Sequence, residues 1–180
     1  MLPTDMAAYA VPLLLSCIAV FVGGLGEDIG RNVSPKTRLI LSFISTLCTI
    51  AIVRVWIGPL GSPYLNWITS TLFGPIVFTV LISGGVAYAA NLIDGLNGLA
   101  MGVCMLIAGG LAFLAYAVGD TVILNISTLL MCSILGLFLF SFPFGKIALG
   151  DAEAYILGHV LTWLSILLVA RNPEISPYAI

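Results

Sequence analysis

Six long apolar stretches divide this chain, and nearly every charged side chain falls between them rather than inside them. A run of about 20 apolar residues crosses a bilayer as a helix and has no stable place in water, so this pattern fixes the solvent before anything else. The chain has only six Lys+Arg and eight Asp+Glu in 180 residues, 8% charged, with a mean hydropathy of +1.18. A soluble domain carries roughly 25% charged residues, so lipid must surround most of this one. Backbone N–H and C=O groups find no water there and must satisfy one another, which leaves an all-α fold: a polytopic transmembrane helical bundle of about six spans. No composition shift, linker or soluble tail separates a second domain, and residues 1–180 read as one.

The apolar runs place the spans at about Tyr9–Leu25, Leu39–Val53, Leu72–Ala90, Leu99–Val118, Val122–Phe142 and Ala152–Ala170. The second run is short and extends past Arg54 if that side chain snorkels to the interface, where Trp56, Tyr64 and Trp67 would form an aromatic belt. Short loops with excess Lys and Arg face the cytoplasm. Arg31, Lys36, Arg38 and Lys146 lie in the odd-numbered loops, against Arg54 and Arg171 on the other side, so the odd loops are expected to be cytoplasmic. Gly23, Gly24, Gly84, Gly85, Gly109 and Gly110 are expected to let helices approach closely.

A net charge of −2 with no basic run excludes nucleic acid as a partner. Cys17, Cys48, Cys104 and Cys132 sit in apolar stretches with no CxxC spacing, and read as small buried hydrophobes. The single histidine, His159, lies about two turns into the sixth span at ~1.5 Å per residue and reads as a hydrogen-bonded packing residue. The start of the chain lacks the basic segment of a cleavable signal.

Parity puts three acidic groups on one membrane face: Glu27-Asp28 after the first span, Asp94 after the third, and Asp151 with Glu153 at the start of the sixth. One acid at a helix end is ordinary. Three at one level repel one another, and a divalent cation relieves that repulsion; hard carboxylate oxygens with room for substrate phosphates suit Mg²⁺. Asp5, Asp120 and Glu174 fall on the opposite face with no motif around them.

Three segments carry a resemblance. Asn91-Leu92-Ile93-Asp94-Gly95-Leu96-Asn97-Gly98-Leu99-Ala100 resembles the signature of the polyprenyl-phosphate N-acetylhexosamine-1-phosphate transferases, also called glycosyltransferase family 4. Gly26-Glu27-Asp28 with Val33-Ser34-Pro35-Lys36-Thr37-Arg38-Leu39 resembles that superfamily's paired-aspartate loop, and Leu149-Gly150-Asp151-Ala152-Glu153 its Gly-Asp segment. The resemblance implies transfer of a sugar-1-phosphate from a UDP-sugar to a polyprenyl phosphate, with Mg²⁺ and release of UMP, at the cytoplasmic face of a bacterial inner membrane. This is the step that starts cell-envelope polysaccharides. It implies Asp151 as metal ligand, Asp28 positioning or deprotonating the lipid phosphate, and Asp94 shaping the nucleotide-sugar site with Asn91 and Asn97 beside it. Lys36 and Arg38 would hold phosphate oxygens, with Glu27 keeping the charge of the first aspartate. Here Glu27, Asn97, Tyr88 and Glu153-Ala154 depart from the usual pattern. Members of the superfamily carry more spans, so the chain resembles their middle, truncated at both ends; a homodimer is compatible with it. The alternative is a non-catalytic homologue that binds prenyl lipid or a partner membrane protein.

Overall fold

The computed structural model describes residues 5–58, 66–67, 70–71, 73–94, 98–143, 145 and 147–176. Among them are seven helices: α1 Ala7–Ser16, α2 Ile18–Asp28, α3 Pro35–Val53, α4 Gly74–Ile93, α5 Leu99–Val118, α6 Thr121–Ser141 and α7 Asp151–Arg171. Helices α3 to α7 are each long and apolar enough to cross a membrane, and α1 and α2, bent by 42° at their junction, are so only as a pair. The chain is a multi-pass membrane helical bundle.

Local chemistry sets the helix ends. The first span is expected as one helix but breaks at Cys17. Pro12 has no N–H to give the preceding turn, and the Ser16 hydroxyl donates back to the Leu13 carbonyl at 2.8 Å, an insertion that bends helices. The Val20 N–H left at the new start is taken by Ser45 Oγ of α3 at 3.2 Å. Helix α3 begins earlier than its apolar run because Ser34 accepts from the Thr37 N–H with Pro35 at the first helical position. It ends at Val53, with Arg54 in the left-handed region at φ 56°, and does not continue past that arginine. Between α5 and α6, Gly119 closes one helix in the left-handed region at φ 75° and Asp120 caps the next, accepting from the Val122 and Ile123 N–H groups.

Helix α7 is the axis of the bundle: 72% of its span is buried, against 33% or less for α3 to α6. It lies among α2, α4 and α5, while α3 packs on α2 and α4, and α6 pairs with α5. Two glycines permit this. A Cβ on Gly24 of α2 would lie 2.4 Å from Ala152 Cα, and one on Gly158 of α7 would lie 2.8 Å from Ala87 Cα of α4. Gly23 and Gly84 likewise meet Leu41 and Phe43 of α3, whereas Gly85 and Gly110 have nothing within 4 Å and are not close-packing sites.

The interior holds hydroxyl side chains as well as apolar ones. Ser42, Ser45, Thr46 and Thr49 of α3 and Thr79 and Ser83 of α4 are fully buried, while Leu106, Phe113 and Tyr116 are 70% or more exposed. With lipid outside, close packing and hydroxyl bonds between helices replace the hydrophobic effect as the source of cohesion. Cys17 and Cys104 are buried as expected, but Cys48 and Cys132 face outward, where an apolar thiol meets lipid at no cost. Trp56 and Trp67 are exposed, as a belt requires; Tyr64 lies outside the described residues.

His159 sits wholly inside, its Nε2 3.0 Å from Ser16 Oγ and 3.2 Å from Thr49 Oγ1. Both hydroxyls already donate to carbonyls, of Leu13 and Ser45, which assigns Nε2–H as the donor to them. At the far end of α7, Arg171 makes a two-pronged pair with Asp120 at 2.7 and 3.1 Å and donates to Tyr9 Oη at 3.0 Å. Asp120, read from sequence as an acid without a motif, is thus a buried structural clasp joining the α5–α6 turn, α7 and α1.

Candidate active site

The other end of the bundle gathers the sequence-predicted residues around the first residue of α7. Asp151 Oδ2 accepts from Arg38 Nη1 at 2.7 Å, and Asp151 Oδ1 accepts from Asn91 Nδ2 at 2.8 Å. Arg38 comes from the first turn of α3 and Asn91 from the last turn of α4. Gly158 sets the α4–α7 approach and Ala87 lies one turn before Asn91, so the glycine contact is what delivers the asparagine.

Asp28 closes α2 and reaches α7 from the other side. Its Oδ1 accepts the Asp151 N–H at 2.8 Å and its Oδ2 the Ala152 N–H at 3.1 Å. Gly150 between them has an ordinary extended backbone, but a Cβ there would stand 3.0 Å from Asp28 Oδ2 and 2.5 Å from Glu153 Oε2. The exposed Glu153 carboxylate therefore lies back over Gly150, beside that of Asp28.

Asp94 caps the end of α4 and is half-buried. Burial, and secondly the charge of Asp151, hold its carboxyl above the usual carboxylate value. Beneath the cluster, Glu27 Oε2, Arg38 Nε and Tyr155 Oη are buried without hydrogen-bond partners. Tyr155, whose ring lies 6.1 Å from that of Tyr88, feels the charges of Arg38, Asp151 and Glu27 together. It was missed as a site residue, although its place one turn after Asp151 puts it on the same helix face.

The structure thus joins Asp28, Arg38, Asn91 and Asp151 directly and sets Glu27 and Asp94 within electrostatic reach. Lys36 is exposed in the first turn of α3 and makes no contact with them. Asn97 and Lys146 lie outside the described residues. From this end, an apolar groove of about 780 Å³ runs between α4, α5 and α7, from Ile93 and Ala100 past Ile107 and Leu161 to Trp56. The acidic and basic cluster and the apolar groove therefore lie at the same end of the bundle.

Residues 10–169 match the family model described as glycosyl transferase family 4. Over 89 residues, 49% of this chain, it is 38% identical to a Bacillus subtilis (strain 168) protein described as a probable undecaprenyl-phosphate N-acetylglucosaminyl 1-phosphate transferase. Over 114 residues, 63% of this chain, it is 29% identical to a phospho-N-acetylmuramoyl-pentapeptide-transferase of Staphylococcus aureus (strain bovine RF122 / ET3-1). The matches cover 25% and 35% of those relatives, so the chain spans well under two thirds of their length. With its family model matched over most of its length, the chain belongs to glycosyl transferase family 4.

Proposed function

We propose that this chain takes part in transfer of a sugar-1-phosphate, an N-acetylhexosamine-1-phosphate, from a UDP-sugar to a polyprenyl phosphate with release of UMP, at the cytoplasmic face of a bacterial inner membrane. The observation that carries it is Asp151, held by Arg38 and Asn91 at the end of the bundle where an apolar groove begins beside Ile93 and Ala100. One substrate is water-soluble and the other is a lipid, and only the interface serves both.

Among the described residues no three carboxylate, histidine or cysteine groups enclose a metal. Mg²⁺ needs no such cage, since it is commonly held by one or two carboxylates with waters and substrate phosphates. The donor set here is hard oxygen, Glu27 Oε2 is buried without a partner, and Asp94 and Asp151 repel each other. Asp151, with Glu27 or Asp94, would hold the ion, which supplies neutralising charge to the pyrophosphate and the departing UMP. Arg38 offers a planar donor fork to phosphate oxygens and Lys36 a mobile point charge at the rim. Asn91 orients Asp151, Asp94 shapes the nucleotide-sugar site, and the groove takes the prenyl chain, bringing its phosphate to the cations.

The test is UMP release by the purified chain in detergent, with undecaprenyl phosphate, a panel of UDP-sugars and Mg²⁺, against EDTA and against Asp151→Asn. Release that needs both metal and Asp151 is the expected result, with the variant inserted and folded normally. The second reading is a non-catalytic homologue binding prenyl lipid or a partner. Folded protein without release supports that reading instead.

A further inference from the structure

Helix α7 begins without a cap of its own, because Gly150 at its N-cap position has no side chain to offer. The first N–H groups of a helix need acceptors, and near a membrane interface that need is acute. Asp28 answers it from 123 residues away, one carboxylate oxygen on the Asp151 N–H and the other on the Ala152 N–H. The arrangement is built rather than incidental. Gly24, one turn before Asp28 on the same face of α2, rests against Ala152 backbone atoms with no space for a Cβ. Gly150 leaves room for the carboxylate. The bundle uses the same device elsewhere: Ser45 of α3 accepts the Val20 N–H at the start of α2.

We propose that Asp28 is a positioning residue, capping α7 in trans and so fixing the place of Asp151, rather than a base or a metal ligand. Its charge also lies at the positive end of the α7 dipole. The proposal rests on the reading of Asp151 as the cation-holding carboxylate, and it makes a sharp distinction between variants. Asparagine keeps one of the two acceptor oxygens and loses the charge, so it retains part of the cap, whereas alanine does not cap at all. A base or a metal ligand shows no such tolerance, since a neutral amide neither takes a proton nor matches a carboxylate on a cation.

The experiment compares the wild-type chain with Asp28→Asn and Asp28→Ala in detergent, measuring Mn²⁺ affinity by electron paramagnetic resonance, the melting midpoint, and the pH profile of UMP release. Asp28→Asn is expected to fall between wild type and Asp28→Ala in Mn²⁺ affinity and melting midpoint and to keep the wild-type pH profile, while Asp28→Ala binds about five- to tenfold more weakly, the size of a lost cap. Asp28→Asn as impaired as Asp28→Ala overturns the proposal, as does loss of a limb of the pH profile in Asp28→Asn. If the alanine variant does not fold, an asparagine variant that folds, binds Mn²⁺ and keeps the wild-type pH profile supports the cap, and one that loses Mn²⁺ binding or a limb of the profile refutes it. Should the wild type bind no Mn²⁺, the reading of Asp151 fails. The melting order still judges the cap: Asp28→Asn between wild type and Asp28→Ala upholds it, and three equal midpoints remove it.

Discussion

Gly24→Ala adds one methyl group at the tightest helix contact in the site. The new Cβ would stand 2.4 Å from Ala152 Cα, 2.5 Å from Ala152 N and 2.8 Å from the Asp151 carbonyl carbon. All three are backbone atoms, so no side chain can swing away to make room. Carbon atoms rest comfortably at about 3.5–4.0 Å, which requires the first turn of α7 to retreat by roughly 1 Å. That motion takes the 2.8 Å bond between Asp28 and the Asp151 N–H past the ~3.2 Å at which such bonds end. Overpacking costs about 1–3 kcal/mol and a lost cap about 1 kcal/mol, together roughly 2–4 kcal/mol, or a melting midpoint lower by roughly 4–16 °C. Displacement of Asp151 on this scale lowers turnover by about 10²-fold. Gly85→Ala is the control: it also replaces a mid-helix glycine, but nothing lies within 4 Å of its Cβ, so it should be neutral or stabilising by up to about 1 kcal/mol. Melting curves and UMP release of the two variants decide the matter. Gly24→Ala that melts with Gly85→Ala and releases UMP at the wild-type rate would falsify the account of α7 as a helix held by backbone contact.

The clasp at the opposite end predicts a loss without a catalytic signature. Arg171→Met leaves Asp120 buried without its cation and should cost about 3–5 kcal/mol, part of which Asp120→Asn added to it restores; equal melting of the single and double variants counts against the pair. Burial alone would raise the Asp120 carboxyl, but hydrogen bonds from Arg171, Asn172 and the Ile123 N–H outweigh it and hold the group below its usual value. Stability from the pair is therefore complete above the unfolded carboxylate pKa of about 4 and fades as pH falls through the lowered one. The gap between wild type and Asp120→Asn should stay constant from about pH 5 to 8 and narrow below about pH 4; narrowing near neutrality would assign the gap to another group. His159→Leu strips Ser16 and Thr49 of a shared donor and should cost about 1–3 kcal/mol with KM unchanged; a stable variant with lost turnover would give His159 a role beyond packing.

What could be read from the chain was what lies in contiguous runs. Apolar length gave six spans, and the motifs around Asp28, Asp94 and Asp151 gave one end of the bundle, because helix parity converts sequence order into membrane side. The break at Cys17 was hidden since its cause is shared: Pro12 and Ser16 are local, but the acceptor for the Val20 N–H comes from α3. Gly158 was overlooked among more conspicuous paired glycines, two of which touch nothing, because only the packing partner tells a spacer from a contact. Asp120 and Arg171 looked like unremarkable interface charges, and 51 residues separate them. Charge, length and motif order survive in one dimension, while caps and clasps between helices do not.

The same distinction explains why a glycine precedes Asp151. The Gly150 backbone is extended at φ −79° and ψ 163°, a conformation open to any residue and usual for an N-cap. Serine or aspartate there would cap α7 locally, and the start of the helix would then be independent of α2. Such a side chain would also begin 3.0 Å from Asp28 Oδ2 and 2.5 Å from Glu153 Oε2, in the space those carboxylates now share. By leaving the cap to Asp28, the chain ties the position of Asp151 to the end of α2, as Arg38 and Asn91 tie it to α3 and α4. A carboxylate on a freely frayed helix end would sample many places at the interface. One fixed from three helices is held in a single place, which the proposed meeting of a cation with a phosphate requires of a site built of so few charged groups.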